Sequence, residues 1–276
     1  MIRNILLLTA ATLLSGCFLF SGKTDTSIVL KVAVNDIYCA DTACEYVHEV
    51  ATRTYAETQK ILASEHDITL RIDYFTDSNQ LEEAILTGKY NAVICKPWSA
   101  LRLNKEAGTD FQRIADLLDP NNNFWLTGIV IVPKDSPIQS LDELSGKHIL
   151  LGKPDAYETS YAAYNLLANH AIAPDKIDMK DSCGENIREL LDGNADAAVV
   201  SDYVLSAGFA DYDDFRILAH TDMIPLTSVM LDMNKFNDAD ERRIKSAFLS
   251  INGTNAPGSL ISQGFSDPWS WNPREL

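Results

Sequence analysis

The sequence predicts an α/β protein of two lobes, with parallel-rich sheets that carry helices on both faces. Short apolar runs alternate with helical stretches along almost the whole chain, an order typical of strands joined by helices. Beyond the first 27 residues about 250 remain, enough for two lobes that each bury a core. Two apolar strands, Leu126–Val132 and Thr227–Met233, are the predicted crossings between the lobes.

The individual elements follow from this alternation. Ile68–Phe75 alternates apolar and polar residues like a half-buried strand, whereas Leu126–Val132 is apolar throughout, like a buried one. The other predicted strands are Ile28–Val34, Tyr90–Ile94, His148–Leu151, Ile177–Lys180, Ala195–Val200, Phe215–Ala219 and Thr227–Met233. Helices are predicted at Cys44–Glu65, Ser78–Thr87, Ser99–Ala107, Ser140–Leu144, Thr159–His170, Asn186–Leu191 and Glu241–Leu249. Gly146 and Gly193 each separate a helix from a strand, where positive φ is favoured.

The first seventeen residues have the pattern of a secretory signal. Arg3 precedes the apolar run Ile5–Leu14, which is too short to span a bilayer because about 20 residues are needed. The sequence LSGC at residues 14–17 resembles the bacterial lipobox, so Cys17 is the predicted lipidation site. An ordinary cleaved signal with a chance cysteine is the alternative. The protein is therefore expected in the cell envelope, lipid-anchored to a membrane and facing the extracytoplasmic side, which is the periplasm in a Gram-negative cell.

The predicted organisation is a signal peptide at 1–17, a tether at 18–27, lobe one at 28–127 plus 227–276, and lobe two at 128–226. Two open sheets joined by two crossings leave a cleft at the carboxyl ends of their strands, where α/β proteins bind ligands. The net charge of −16 argues against nucleic acid and anionic lipid headgroups as partners. We expect a self-repelling monomer.

Three segments resemble type II periplasmic solute-binding proteins, and most closely their phosphate/phosphite/phosphonate-binding branch. They are SLDELSGKHILLG at 140–152, GKYNAVI at 88–94 and IRELLDGNADAAVV at 187–200. The resemblance covers Lys31 to Leu249. It implies a protein that captures a small ligand between its lobes and delivers it to the permease of an ABC importer; the alternative is a ligand sensor for a membrane kinase. No enzyme is predicted, since hydrolase, metalloprotease and phosphate-loop motifs do not occur, and no cofactor is expected.

The resemblance also implies where an anion would bind. Family members place a Ser-Thr-Ser-Gly segment at the start of a helix in lobe two, where hydroxyl and backbone N–H groups meet the anion. The counterpart here is Glu158-Thr159-Ser160-Tyr161. Thr159 and Ser160 retain hydroxyls, but Glu158 would repel a phosphonate. The alternative for this segment is a simple helix N-cap.

Further candidates for the cleft follow strand ends. Lys96, Trp98 and Ser99 come after the strand Tyr90–Ile94 and offer a charge, a stacking surface and a donor; a helix start with a surface tryptophan is the alternative. The remaining candidate contacts are Tyr38, Trp125, Tyr157, Tyr161 and Tyr203.

Four further cysteines, Cys39, Cys44, Cys95 and Cys183, fall at predicted strand ends or helix starts. Outside the cytoplasm an even number favours disulfides, with Cys39–Cys44 as the natural pair, although a Cys95–Cys183 bond would block hinge motion. A thiolate site for a soft metal or metalloid, and one disulfide with two free thiols, are the alternatives. The ligand therefore stays open among an oxyanion at Thr159, Ser160 and Lys96, a soft ion at the cysteines, and a small organic molecule against the aromatic residues.

Overall fold

The structure is a computed structural model, and it describes residues 27–39, 50–52, 54–119, 121–154, 156–206, 212–253 and 263–271. The predicted signal peptide, its Cys17, most of the tether and Cys44 lie outside these residues. For Tyr38 and Cys39 the backbone alone is described. Within the described ranges, no helix has both the length and the apolar character that crossing a bilayer requires.

The described elements occur in the following order. The strands are β1 (Ile28–Asn35), β2 (Ile37–Cys39), β3 (Val50–Thr52), β4 (Ile68–Tyr74), β5 (Ala92–Cys95), β6 (Phe111–Leu118), β7 (Trp125–Leu126), β8 (Gly128–Pro133), β9 (His148–Gly152), β10 (Lys176–Lys180), β11 (Ala197–Ser201), β12 (Phe215–His220), β13 (Ile224–Pro225), β14 (Ser228–Asp232) and β15 (Gly264–Ser266). The α-helices are α1 (Ala56–His66), α2 (Ser78–Leu86), α3 (Pro97–Ala107), α4 (Tyr161–Asn169), α5 (Cys183–Leu191), α6 (Asp202–Ser206) and α7 (Asp238–Leu249). The two-lobed α/β prediction is confirmed.

The first lobe is built on a six-stranded sheet in the order β15-β6-β14-β5-β1-β4. Strand β1 pairs in parallel with β4 and β5, whereas β14 and β15 run antiparallel to their neighbours. Apolar side chains cover both faces: Leu30 lies in one core cluster with Phe248 of α7, and Val93 in another with Leu81 of α2. This two-sided burial explains why β5 is a continuous apolar run.

The second lobe is built on a five-stranded sheet in the order β10-β9-β11-β8-β12. Strand β9 pairs in parallel with β10 and β11, while β8 pairs antiparallel with β11 and β12. All of β11 is buried, and its two faces belong to separate clusters, one with Leu167 of α4 and one with Leu190 of α5. Gly146 and Gly193 have φ of 73° and 75°, as the sequence predicts.

The passage between the lobes is shorter than the two predicted strands. Strand β7 pairs antiparallel with β13. Strand β7 is followed by β8 of the five-stranded sheet, and β13 is followed by β14 of the six-stranded sheet. The Thr127 hydroxyl donates to the carbonyl of Thr221 at 2.7 Å, and the N–H of Gly128 donates to the Thr221 hydroxyl at 2.8 Å. These bonds tie the two crossing segments together at the entrance to the second lobe.

Three expectations about elements are wrong. Among the described residues of the predicted helix Cys44–Glu65, the helix begins only at Ala56, because Val50–Thr52 forms a strand with β2. Strand β6 lies where no element was expected. Both sheets are mixed, because β14 and β8 return without a helical crossover and so pair antiparallel with strands beside them.

Candidate functional site

A cavity of about 330 Å³ lies between the two lobes, within the size range of small-molecule sites. The first lobe lines it with residues at the carboxyl ends of β1, β4 and β5, and the second lobe with residues that follow β9, β10 and β11. The lining residues are Asn35, Asp36, Thr76, Ser78, Cys95, Lys96, Ser99, Leu126, Gly152, Lys153, Ala156, Glu158, Thr159, Lys180, Asp181, Ser182, Cys183, Ser201, Tyr203, Val204 and Leu226. The cavity therefore stands where the predicted cleft was expected.

An ion pair joins the two lobes across this cavity. Lys96 follows β5 as the N-cap of α3, and its Nζ donates to Oε1 of Glu158 at 2.7 Å. The Glu158 side chain is 3% exposed and the Lys96 side chain 31% exposed. Because Glu158 comes from the second lobe, the pair holds the two walls of the cavity together.

The backbone of the second lobe fixes the position of Glu158. Residues Tyr157–Thr159 form a 3₁₀ helix just before α4, and the Thr221 hydroxyl donates to the Glu158 carbonyl at 3.0 Å. A Cβ atom on Gly128 would overlap that carbonyl oxygen, and one on Gly152 would overlap the Thr159 side chain. The two glycines therefore allow the segment to approach the sheet closely. Oε2 of Glu158 is buried and has no hydrogen-bond partner.

Two more carboxylates lie on or next to the cavity wall, and sequence reasoning missed one of them, Asp36. Asp36 follows β1, is 2% exposed, and accepts from the Tyr55 hydroxyl at 2.5 Å and the Thr227 hydroxyl at 2.7 Å. Asp202 accepts from the Thr127 N–H at 3.2 Å. Burial raises the pKa of Asp202, and the charge of Glu158 adds to the increase. A carboxylate directly after a buried strand is the signal that could have found Asp36.

The other lysines of the wall are also paired. Lys153 Nζ lies 3.3 Å from Asp181, and Lys180 Nζ lies 3.8 Å from Glu185. Together with Lys96, each lysine that lines the cavity therefore faces a carboxylate.

The hydroxyls of the predicted anion segment donate to the protein itself. The Thr159 and Ser160 hydroxyls donate to the Ala156 carbonyl at 3.3 Å and 2.7 Å. Thr159 lines the cavity, but Ser160 does not; it lies instead on a hollow of about 110 Å³ with Tyr161, Tyr164 and Met179. The expectation that Ser160 lines the cleft is thus wrong, because its side chain turns back onto the preceding turn.

Several aromatic candidates pack against each other instead of lining the cavity. The rings of Trp98 and Tyr157 lie 4.3 Å apart and those of Trp98 and Tyr161 5.0 Å apart. Trp98 and Tyr157 are buried in the core of the first lobe, so the three rings join the lobes beside the cavity. Trp125, paired with Pro225 in the crossing, does not line the cavity either. Lys96, Ser99 and Tyr203 do line it.

Cys95 and Cys183 line the same cavity from opposite lobes as thiols that are not bonded to each other. A disulfide between them is therefore absent, and the predicted Cys39–Cys44 bond lies outside the described side chains. Burial raises the pKa of Cys95 to about 12, whereas the Cys183 sulfur accepts from the Ser201 N–H at 3.4 Å. Within the described part of the chain, no group of three or more histidine, cysteine or acidic side chains could hold a metal ion.

Comparisons with known proteins agree with this architecture. The family described as "ABC transporter, phosphonate, periplasmic substrate-binding protein" matches residues 45–268. No curated protein matches the chain.

Solved structures share its fold. XAC2383 from Xanthomonas citri, bound to ATP, is 16% identical with a TM-score of 0.67, over 88% of this chain and 92% of that one. PhnD1 from Prochlorococcus marinus, in complex with methylphosphonate, is 12% identical with a TM-score of 0.58, over 88% and 93%. PA3383 from Pseudomonas aeruginosa, a binding component of an ABC phosphonate transporter, has the same identity and TM-score, over 88% and 82%.

Proposed function

Because this chain belongs to the family of periplasmic substrate-binding proteins of phosphonate-type ABC transporters, we propose that it captures a small solute in the cavity between its lobes and delivers it to the permease of an importer. Members of this family are transport components, so the chain is not an enzyme. The observation that carries the proposal is the Lys96–Glu158 pair, which closes the cavity from both lobes. Opening and closing of such a cavity is how a hinged protein couples occupancy to recognition by a partner.

The finer parts of the proposal come from the sequence. We propose lobe boundaries at 127/128 and 226/227, lipid anchoring at Cys17, an extracytoplasmic location and a monomeric state. The genes that neighbour this one distinguish the two proposed partners: a permease and an ATPase support import, and a histidine kinase supports the sensor alternative. The proposed contacts are Lys96, Ser99, Thr159 and Tyr203, which line the cavity.

The soft-ion alternative rests on one specific observation, the two cysteines, Cys95 and Cys183, on facing walls of the cavity. It predicts that Cys183→Ser abolishes binding of a thiophilic ion such as Cd²⁺. Unchanged Cd²⁺ affinity in that variant would contradict it.

Capture of a solute is tested by native mass spectrometry of the whole chain after incubation with an extract of its own cells. We expect one bound small molecule. Thr76→Trp, on the exposed part of the cavity wall, should abolish that adduct by filling the space. The matched control is Thr69→Trp, at an exposed position of β4 outside the cavity, which should retain it. Equal adducts in both variants would contradict the proposed location.

A further inference from the structure

We infer that Glu158 makes the cavity selective for a ligand that presents a protonated nitrogen to its Oε2, and that a bare phosphate or phosphonate dianion is rejected. This inference rests on the proposed function, because it takes the interlobe cavity as the solute site. It names the chemical class of the solute, which neither the fold nor the family match gives.

The first argument is the unpartnered oxygen. Oε2 of Glu158 has no hydrogen-bond partner although it is buried, while Oε1 is occupied by Lys96. A buried carboxylate oxygen without a donor is costly, and protein interiors rarely leave one unsatisfied. Because Glu158 lines the cavity, we assign a ligand N–H, brought in when the lobes close on the solute, as the donor to Oε2.

The second argument is that the groups suited to an anion are already occupied. Lys96 is held by Glu158, and the hydroxyls of Thr159 and Ser160 donate to the Ala156 carbonyl. A dianion that recruited Lys96 would leave the Glu158 carboxylate buried without its counter-charge. Removing the counter-charge of a buried carboxylate in this way is unfavourable. The Glu158 carboxylate is thus itself the anion that pairs with Lys96, in place of an anionic ligand.

The third argument is the charge around the pair. Asp36 and Glu158 line this part of the cavity with Lys96, and Asp202 directly follows the lining residue Ser201, so three acidic residues lie in this region of the chain's fold. The remaining lysines of the wall, Lys153 and Lys180, are paired with Asp181 and Glu185. A dianion would add to the negative charge, whereas an ammonium group would reduce it. Electrostatics therefore favours a cationic group beside Glu158.

The test is isothermal titration of the whole chain with two size-matched panels. One panel contains small primary ammonium compounds, such as ethylamine, ethanolamine and 1,4-diaminobutane; the other contains phosphate, methylphosphonate and ethylphosphonate. We expect binding from the ammonium panel alone. Glu158→Gln keeps the size of the side chain but removes the charge, so it should weaken that binding at least tenfold. Glu158→Ser should in addition admit methylphosphonate.

The matched control is Asp178→Asn, which removes the charge of a lysine-paired carboxylate of the second lobe; neither Asp178 nor its partner Lys176 lines the cavity. It should leave the binding of both panels unchanged. Thermal melting verifies that each variant folds. Methylphosphonate binding by the unaltered chain overturns the inference, and so does the absence of any ammonium ligand. If one of these titration results occurs but the cell extract still yields an adduct that Thr76→Trp removes, the inference falls while the proposed function stands. If the extract yields none, the proposed function itself fails.

Discussion

Replacing Arg113 by methionine should destabilise the first lobe severely, because Arg113 neutralises a carboxylate that has no access to water. The side chains of Arg113 and Asp116 are 9% and 0% exposed, and Nη2 of Arg113 lies 2.5 Å from Oδ2 of Asp116. Nη1 also donates to the carbonyls of Trp269 and Trp271, so the same guanidinium holds the C-terminal segment against the sheet.

The expected magnitude follows from what the substitution leaves behind. Asp116 would retain the Ser228 hydroxyl at 2.6 Å and the Trp269 N–H at 3.3 Å, but it would lose its counter-charge. Removing one partner of a buried pair costs about 3–5 kcal/mol. In a chain of this size each kcal/mol lowers Tm by about 2–4 °C. Arg113→Met should therefore lower Tm by roughly 6–20 °C.

The assay is thermal unfolding of Arg113→Met, Asp116→Asn and the double variant. Burial raises the pKa of Asp116 despite the opposing effect of Arg113, so ionised Asp116 costs stability. Asp116→Asn should thus lower Tm less than Arg113→Met does. The double variant should have a higher Tm than Arg113→Met alone. A purely additive double variant, or an Asp116→Asn as damaging as Arg113→Met, would refute this reasoning.

The pH dependence has a definite sign. Because the pKa of Asp116 is higher in the folded state than its ordinary value of 3.8, the folded chain binds more protons in the interval between the two values. The contribution of Asp116 to the free energy of unfolding therefore falls as pH rises through that interval. Asp116→Asn should lack this decrease, and an identical pH profile in both proteins would contradict the assignment.

Three other predictions concern the interlobe region. Trp98→Ala should cost about 3–5 kcal/mol of stability, because the indole is buried against Tyr157; thermal unfolding checks this, with the exposed Tyr164→Ala as the nearly silent control. Gly128→Ala should displace the Glu158 carbonyl and weaken solute capture in the native mass spectrum, and full capture would contradict the close approach. Cys95, buried and with a pKa of about 12, should resist iodoacetamide at pH 8 in the native protein and react after unfolding; peptide mapping that finds it modified in the native state would be the contrary result.

Sequence patterns were sufficient for elements whose periodicity is uninterrupted. The continuous apolar runs of β5, β8 and β11 were found because both faces of these strands are buried. Strand β6 was missed because its alternation is broken. Its pairing with β14 shifts register between Val229 and Met230, which adds one residue and brings Arg113 and Asp116 to the same face.

The site was predicted in part, for a related reason. Lys96 and Thr159 were found because each follows a strand or precedes a helix, a local feature. The contact between Lys96 and Glu158 joins residues 62 positions apart, and no local pattern reveals it. Trp98 was assigned to the cleft although its ring packs on Tyr157, because an aromatic residue near a site has the same sequence signal whether it faces a ligand or another ring.

The most direct test of the central claim is a crystal structure of the whole chain with the solute that it retains from its own cells. We predict density for one small molecule in the interlobe cavity, with a nitrogen within hydrogen-bond distance of Glu158 Oε2 while Oε1 remains bonded to Lys96. A solute bound outside this cavity would contradict the proposed site. A phosphate or phosphonate group in direct contact with Lys96, with Glu158 turned away, would contradict the proposed selectivity.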